Sequence, residues 1–338
     1  MKKWWVIAGI SAAIGLVIGI AIHPLLPFDN EGSELPPETA AAGPTSVANT
    51  AAPNPETPIT TTSTSQAPLA VGSGESACGL GDPLMVGETP ADVFDVNFDD
   101  LASSEFGGKP RGALEDAFGF GFEYLANEGG LALETIDGNR FLRQRYEPID
   151  RGTAVTEFLS EPVNAQKTNE MWLSYKVYFE PGWEWVLGGK LPGLAGGDFP
   201  SGGKGGDGTD GFSARLMWRP GGQIVVYAYH PDRPGRFGED FSLCGNVEPG
   251  VWTEITTRIV MNSTADSFDG IVEAWVDGQK RLSKSDVRWR TTGEFGVDRF
   301  VYSSFYGGSS REWAPTSTTF ARFDDFRMST TRLGLSSR

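Results

Sequence analysis

The sequence predicts an all-β domain, an antiparallel β-sandwich of jelly-roll or concanavalin-like type, and three observations predict it. Short apolar runs of strand length recur between turn residues; glycine and aromatic residues are abundant, with 44 glycines and 12% aromatics; and no long helical period follows the N-terminal segment. The runs place strands over 171–179, 212–219, 223–229, 252–261, 271–276, 299–305 and 320–328, and a short helix over 112–118. Asp277-Gly278 signals a tight hairpin, because a type I′ turn needs two residues that tolerate positive φ. One sandwich spanning 77–338 accommodates this rhythm of strands.

Two segments precede the domain. Lys2 and Lys3 stand before an uncharged run of 19 residues over 4–22, enough to cross a bilayer core as a transmembrane helix. Bulky residues at its end, Ile20-Ala21-Ile22-His23-Pro24, replace a small-residue cleavage site, so 1–24 reads as a signal anchor rather than a cleaved peptide. The lysines would hold the N-terminus in the cytoplasm and place the domain outside, anchored to the membrane, or secreted were the segment cut. Residues 25–76, rich in Pro, Thr, Ser and Ala, cannot bury a core and read as a disordered linker. The two cysteines, Cys78 and Cys244, are expected to pair as a disulfide in that oxidising location.

The net charge of −16 disfavours nucleic acid. Against that background, the stretch 190–236 carries six cations (Lys190, Lys204, Arg215, Arg219, Arg233, Arg236) and four acids, and so reverses the sign locally. A cleft focused in this way suits an acidic ligand.

The same stretch holds the densest set of reactive groups. Pro220-Gly221-Gly222 separates two strand-like runs, and a three-residue loop would pair Arg219 with Gln223, Arg215 with Tyr227 and Ser213 with Tyr229. Alternation then puts Ser213, Arg215, Tyr227 and Tyr229 on one face, opposite Phe212, Ala214, Leu216 and Trp218. A two-residue loop would change this parity. Lys190, in the Gly-rich run Gly188-Gly189-Lys190-Leu191-Pro192-Gly193, is a candidate cation for the patch. These residues form no hydrolytic triad and no carboxylate pair. They suit β-elimination on a uronic acid, which needs the C6 carboxylate neutralised, the C5 proton removed and the departing O4 protonated.

The ordered set Lys190-Leu-Pro-Gly-Leu-Ala-Gly-Gly197, Gly211-Phe-Ser-Ala-Arg-Leu-Met-Trp-Arg219 and Tyr227-Ala-Tyr229 resembles polysaccharide lyase family 14, and the likeness extends over roughly 92–330. That family includes alginate lyases and related polyuronate lyases of β-jelly-roll fold. The resemblance implies a lyase and places the family's motif lysine on Lys190, its strand Ser and Arg on Ser213 and Arg215, and its tyrosine pair on Tyr227 and Tyr229. The tyrosines are expected to share acid and base roles, a tyrosine base gaining a depressed pKa from neighbouring cations. Lys176, Arg219, His230, Tyr306 and Trp313 are candidates for substrate binding, the last two as platforms for sugar rings. No cofactor is expected, apart from a structural calcium at the pairs Asp99-Asp100 and Asp324-Asp325. An acidic polysaccharide is the expected partner of a monomeric enzyme. The rival reading is a lectin-like carbohydrate-binding domain displayed on the cell surface, using the same groove without chemistry.

Overall fold

The computed structural model describes residues 79–87, 91–101, 111–160, 162–163 and 168–337. The expected anchor, the linker and Cys78 lie outside these residues; among the described residues no helix is long and apolar enough to cross a membrane. In chain order the elements are β1 (Phe94–Val96), α1 (Arg111–Phe118), β2 (Phe122–Ala126), β3 (Leu131–Ile136), β4 (Asn139–Tyr146), β5 (Pro148–Ile149), β6 (Gly152–Thr153), β7 (Thr156–Ser160) and β8 (Glu170–Phe179). Then follow β9 (Gly189–Gly197), β10 (Gly211–Trp218), β11 (Gln223–Tyr229), β12 (Glu239–Asn246), β13 (Trp252–Val260), β14 (Gly270–Val276), β15 (Gln279–Val287), β16 (Arg299–Tyr306) and β17 (Thr319–Ser329).

Two antiparallel sheets form the sandwich, ordered β15-β14-β13-β8-β17-β4-β3 and β12-β11-β10-β9-β16-β7-β2, with β1 added on β17. Strand alternation builds the core between them. Leu173, Tyr175 and Val177 of β8 meet Phe212, Ala214, Leu216 and Trp218 of β10 and Ile224, Val226 and Ala228 of β11 in one buried cluster. Aromatics fill it: Phe158 stacks on Tyr302 at 4.7 Å, and Trp183 on Tyr306 at 5.0 Å. The Asp277-Gly278 turn joins β14 to β15 with φ of 48° and 75°, the conformation its residue types favour.

β17 carries a bulge between Asp324 and Arg327, with Asp325 at φ 49°. Here the sequence expectations of a calcium site and of a substrate-binding Lys176 both fail. Lys176 sits on the outer face of the other sheet, 2.7 Å from Asp325, because alternation chooses a face but not the sheet. Asn97 Nδ2 also donates to Asp325, and Asp99 accepts the Arg140 amide, so protein donors occupy these carboxylates. No group of three or more metal-binding side chains occurs among the described residues.

Burial, and then the adjacent Asp325 carboxylate, pushes Asp324 up to about 7. A raised carboxyl favours the fold while protonated; its contribution is complete below the ordinary carboxylate value and is lost as pH rises through about 7. The melting temperature is therefore expected to fall from pH 5 to pH 8 in part through Asp324. Asp324→Asn, which keeps the Oδ1 acceptor for the Phe98 and Asp325 amides, should flatten that dependence in a calorimetric pH series. An unchanged slope would show that Asp324 does not carry it.

Candidate active site

The β10–β11 hairpin has the expected register: Ser213 lies opposite Tyr229 and Arg215 opposite Tyr227. Arg219 N–H donates to Gln223 O at 2.8 Å and closes the three-residue loop, in which Gly221 and Gly222 take φ of 72° and 84°. The odd-numbered side chains consequently face away from the core, and Met217, Val225, Tyr227 and Tyr229 form a separate buried cluster with Trp313 packed on it.

Lys190 reaches this face through a device the sequence reading did not foresee. The Gly-rich run around Lys190, absent from the expected strands, is strand β9, and between Lys190 and Gly193 it carries one residue more than β10 opposite. That bulge, at Leu191-Pro192, resets the alternation: Leu191 and Leu194 point into the core, while Lys190 joins the outer side. Lys190 Nζ lies 3.8 Å above the Tyr227 ring centroid and donates to Met217 Sδ at 2.7 Å. Burial, then Arg215 and Arg219, holds its ammonium well below the usual lysine range.

Arg215, 3% exposed, extends the other way. Gly193 stands opposite it on β9 and leaves the path open. The guanidinium Nη1 donates to Ser303 Oγ on β16 at 3.1 Å and lies 3.4 Å from Glu157 Oε2 on β7. Its Cζ lies over the Phe199 ring, 5.0 Å from the centroid.

Loop backbone caps the hydroxyls. Ser213 Oγ donates to Pro200 O at 2.8 Å, Tyr229 Oη accepts the Gly203 amide at 2.8 Å, and Tyr227 Oη accepts the Gly238 amide at 3.0 Å. Arg233 holds the loop over 198–210 in place by donating to Gly205 O and Gly206 O, with its Cζ 5.0 Å from the Tyr229 ring centroid. Arg219 borders the patch in a bidentate pair with Asp240 at 2.8 and 2.7 Å, its Cζ 5.8 Å from the Tyr227 ring.

Two further candidates leave the site. Tyr306 is fully buried in the core and donates to Glu184 O, since β16 turns its even-numbered residues inward. His230 points to the inner side, its ring against Phe241 and Trp289 and its Nε2 2.8 Å from Glu239. Burial holds the His230 pKa low. The expectation of a tyrosine with a depressed pKa also fails at Tyr227: burial, then the nearby Tyr229, pushes it up to about 12. Cys244 is not a free thiol.

The geometry gathers two buried cations and two tyrosine hydroxyls over one outer sheet face, and the sequence family described as polysaccharide lyase 14 matches residues 139–326, more than half of the chain. The chain belongs to polysaccharide lyase family 14. Among solved structures it is similar to an alginate lyase from Aplysia kurodai, at 26% identity over 64% of this chain and 94% of that one, with a TM-score of 0.54. Alginate lyase Aly36B shares the fold at 22% identity, covering 71% of this chain and 97% of that one, with a TM-score of 0.59. The alginate lyase vAL-1 from a Chlorella virus shares it at 21% identity, over 64% and 95% of the two chains, with a TM-score of 0.54. No curated protein sequence matches the chain. The domain is a polysaccharide lyase built on an antiparallel sandwich.

Gly193 gives this family site a sharp test. A Cβ there would stand 2.5 Å from Arg215 Cα and closer still to Ala214 O, both on the facing strand. Gly193→Ala is expected to cost roughly 1–3 kcal/mol, as overpacking does. Thermal unfolding should register this as a melting temperature lower by several degrees; an unshifted transition would mean that β9 and β10 are less tightly apposed.

Proposed function

We propose that the domain cleaves a uronate-containing polysaccharide, alginate- or glucuronan-like, by β-elimination. The supporting observation is the pairing of Lys190 and Arg215, two cations under 10% exposed, with the hydroxyls of Tyr227 and Tyr229 on one face. A buried guanidinium stays charged and is costly unless a partner offsets it, and a substrate carboxylate is a suitable partner for Arg215. Arg215 takes the C6 carboxylate and stabilises the charge that moves onto it when the C5 proton leaves. Lys190, whose ammonium is disfavoured by burial and by two arginines, is the group best suited to accept that proton. Tyr227, pushed up to about 12, stays protonated and suits donation to O4 as the glycosidic bond breaks. Tyr229 and Ser213 hold the sugar or the neighbouring hydroxyl, Arg219 borders the groove, and Trp313 offers it an aromatic wall.

The proposed setting is extracytoplasmic. The uncharged run over 4–22 behind Lys2 and Lys3 would anchor the protein, and the linker would hold the domain off the membrane. Cys78 and Cys244 are proposed to pair there, as the chain's two cysteines. Intact mass of the unreduced protein should then be two hydrogens below the fully reduced value, and alkylation without reductant should label neither thiol; a doubly labelled product would rule the bridge out.

The catalytic reading is tested with the full chain on a panel of polyuronates, following the ultraviolet absorbance of an unsaturated uronate product. Lys190→Ala and Arg215→Ala should each lower kcat by about 100-fold or more, the scale of losing an electrostatic or proton-transferring group. Tyr227→Phe should do the same with little change in binding, while Ser213→Ala should cost about 10-fold, as loss of a neutral hydrogen bond does. Polymer binding without any unsaturated product would support the lectin-like alternative instead.

A further inference from the structure

Glu157 takes no part in the elimination outlined above, yet the structure ties it to the reacting face. It lies on β7, directly opposite Ser303 of β16. Ser303 Oγ donates to Glu157 Oε2 at 2.6 Å and in turn accepts from Arg215 Nη1 at 3.1 Å. The short link is hydroxyl to carboxylate, whereas the direct Arg215–Glu157 separation is 3.4 Å. A hydroxyl that spends its proton on a carboxylate presents only lone pairs to the guanidinium, so Glu157 dictates which way Ser303 faces. One corner of Arg215 is thereby fixed. The opposite edge is left open: Arg215 Nε is buried and has no hydrogen-bond partner among the described residues. A buried donor of this kind is costly to leave unmet, and a carboxylate oxygen would satisfy it.

We propose that Glu157, through Ser303, is a positioning residue that pins the Nη1 corner of Arg215 so that its Nε edge receives the substrate carboxylate. This rests on the polyuronate lyase reading for the identity of the carboxylate, but not for the positioning itself. Glu157 touches no reacting atom. Its effect is on how the arginine is presented, and it starts on β7 and acts past β16 and β9 on a residue of β10.

The test is a double-mutant cycle on the full chain with a polyuronate substrate. Glu157→Ala and Ser303→Ala should each lower kcat/KM by about 10-fold, with kcat itself falling part of the way toward that of Arg215→Ala, since a misplaced arginine serves both the bound carboxylate and the charge that develops on it less well. The double variant should be no worse than either single one, because both break the same chain. Glu157→Gln keeps an acceptor for the Ser303 hydroxyl and should recover most of the loss, which a role that rests on the Glu157 charge would not allow. Wild-type kcat/KM in Glu157→Ala, or losses that multiply in the double variant, would overturn the proposal. If the wild type releases no unsaturated product from any polyuronate, the lyase reading fails by itself. Crystal structures of Glu157→Ala and Ser303→Ala then decide the positioning: a guanidinium swung away from its Nη1 corner upholds it, and one unmoved in both refutes it.

Discussion

The site depends on parity. A strand offers alternate residues to opposite faces, and in a two-sheet sandwich one of those faces must be apolar to close the core. On β10 and β11 unbroken alternation puts Arg215, Tyr227 and Tyr229 outside while Phe212, Leu216, Trp218 and Val226 seal the interior. On β9 unbroken alternation would have turned Lys190 inward along with Leu194. The extra residue at Leu191-Pro192 prevents this, and the absence of a side chain at Gly193 then leaves Arg215 a route across the strand. Backbone irregularity and missing side chain together bring two basic side chains to one patch.

That arrangement explains how a chain of net charge −16 can present a cationic site. Acids also surround the pair: Glu157 lies beside Arg215, and Asp240 holds Arg219. The neighbouring carboxylates oppose the loss of the Lys190 proton, while burial and the arginines promote it, and the latter prevail. The resulting environment separates the tendencies of the two ionisable groups in contact. Lys190 is driven toward its neutral form, and Tyr227 is kept in its own.

Much of this was legible in the sequence because it is local. The length of the Pro220-Gly221-Gly222 loop determines the hairpin register, and register determines which residues share a face. Strands β8, β13, β14, β16 and β17 were visible as apolar runs for the same reason. What could not be read depends on distant pairing. Lys176 does alternate with Tyr175 and Val177 as a strand residue should, but nothing in its neighbourhood says that β8 belongs to the opposite sheet. Tyr306 flanks Gly307-Gly308 and was a candidate platform for a sugar ring, whereas the even residues of β16 are its buried set. Glu157 gave no signal, since its role exists only once β7 lies against β16. The raised pKa of Tyr227 likewise follows from burial beneath segments that a two-strand reading cannot supply.

The loops over the hydroxyls have a chemical consequence. Pro200 O, Gly203 N–H and Gly238 N–H satisfy Ser213, Tyr229 and Tyr227 with backbone groups of two separate segments. Accepting an amide occupies a lone pair of each phenol oxygen, so Tyr227 and Tyr229 keep their O–H groups for a ligand while these bonds stay in place. Ser213, whose proton goes to Pro200 O, has only lone pairs left to offer. The two segments thus assign polarity to the groove, turning the phenols into donors and the serine into an acceptor before any sugar arrives.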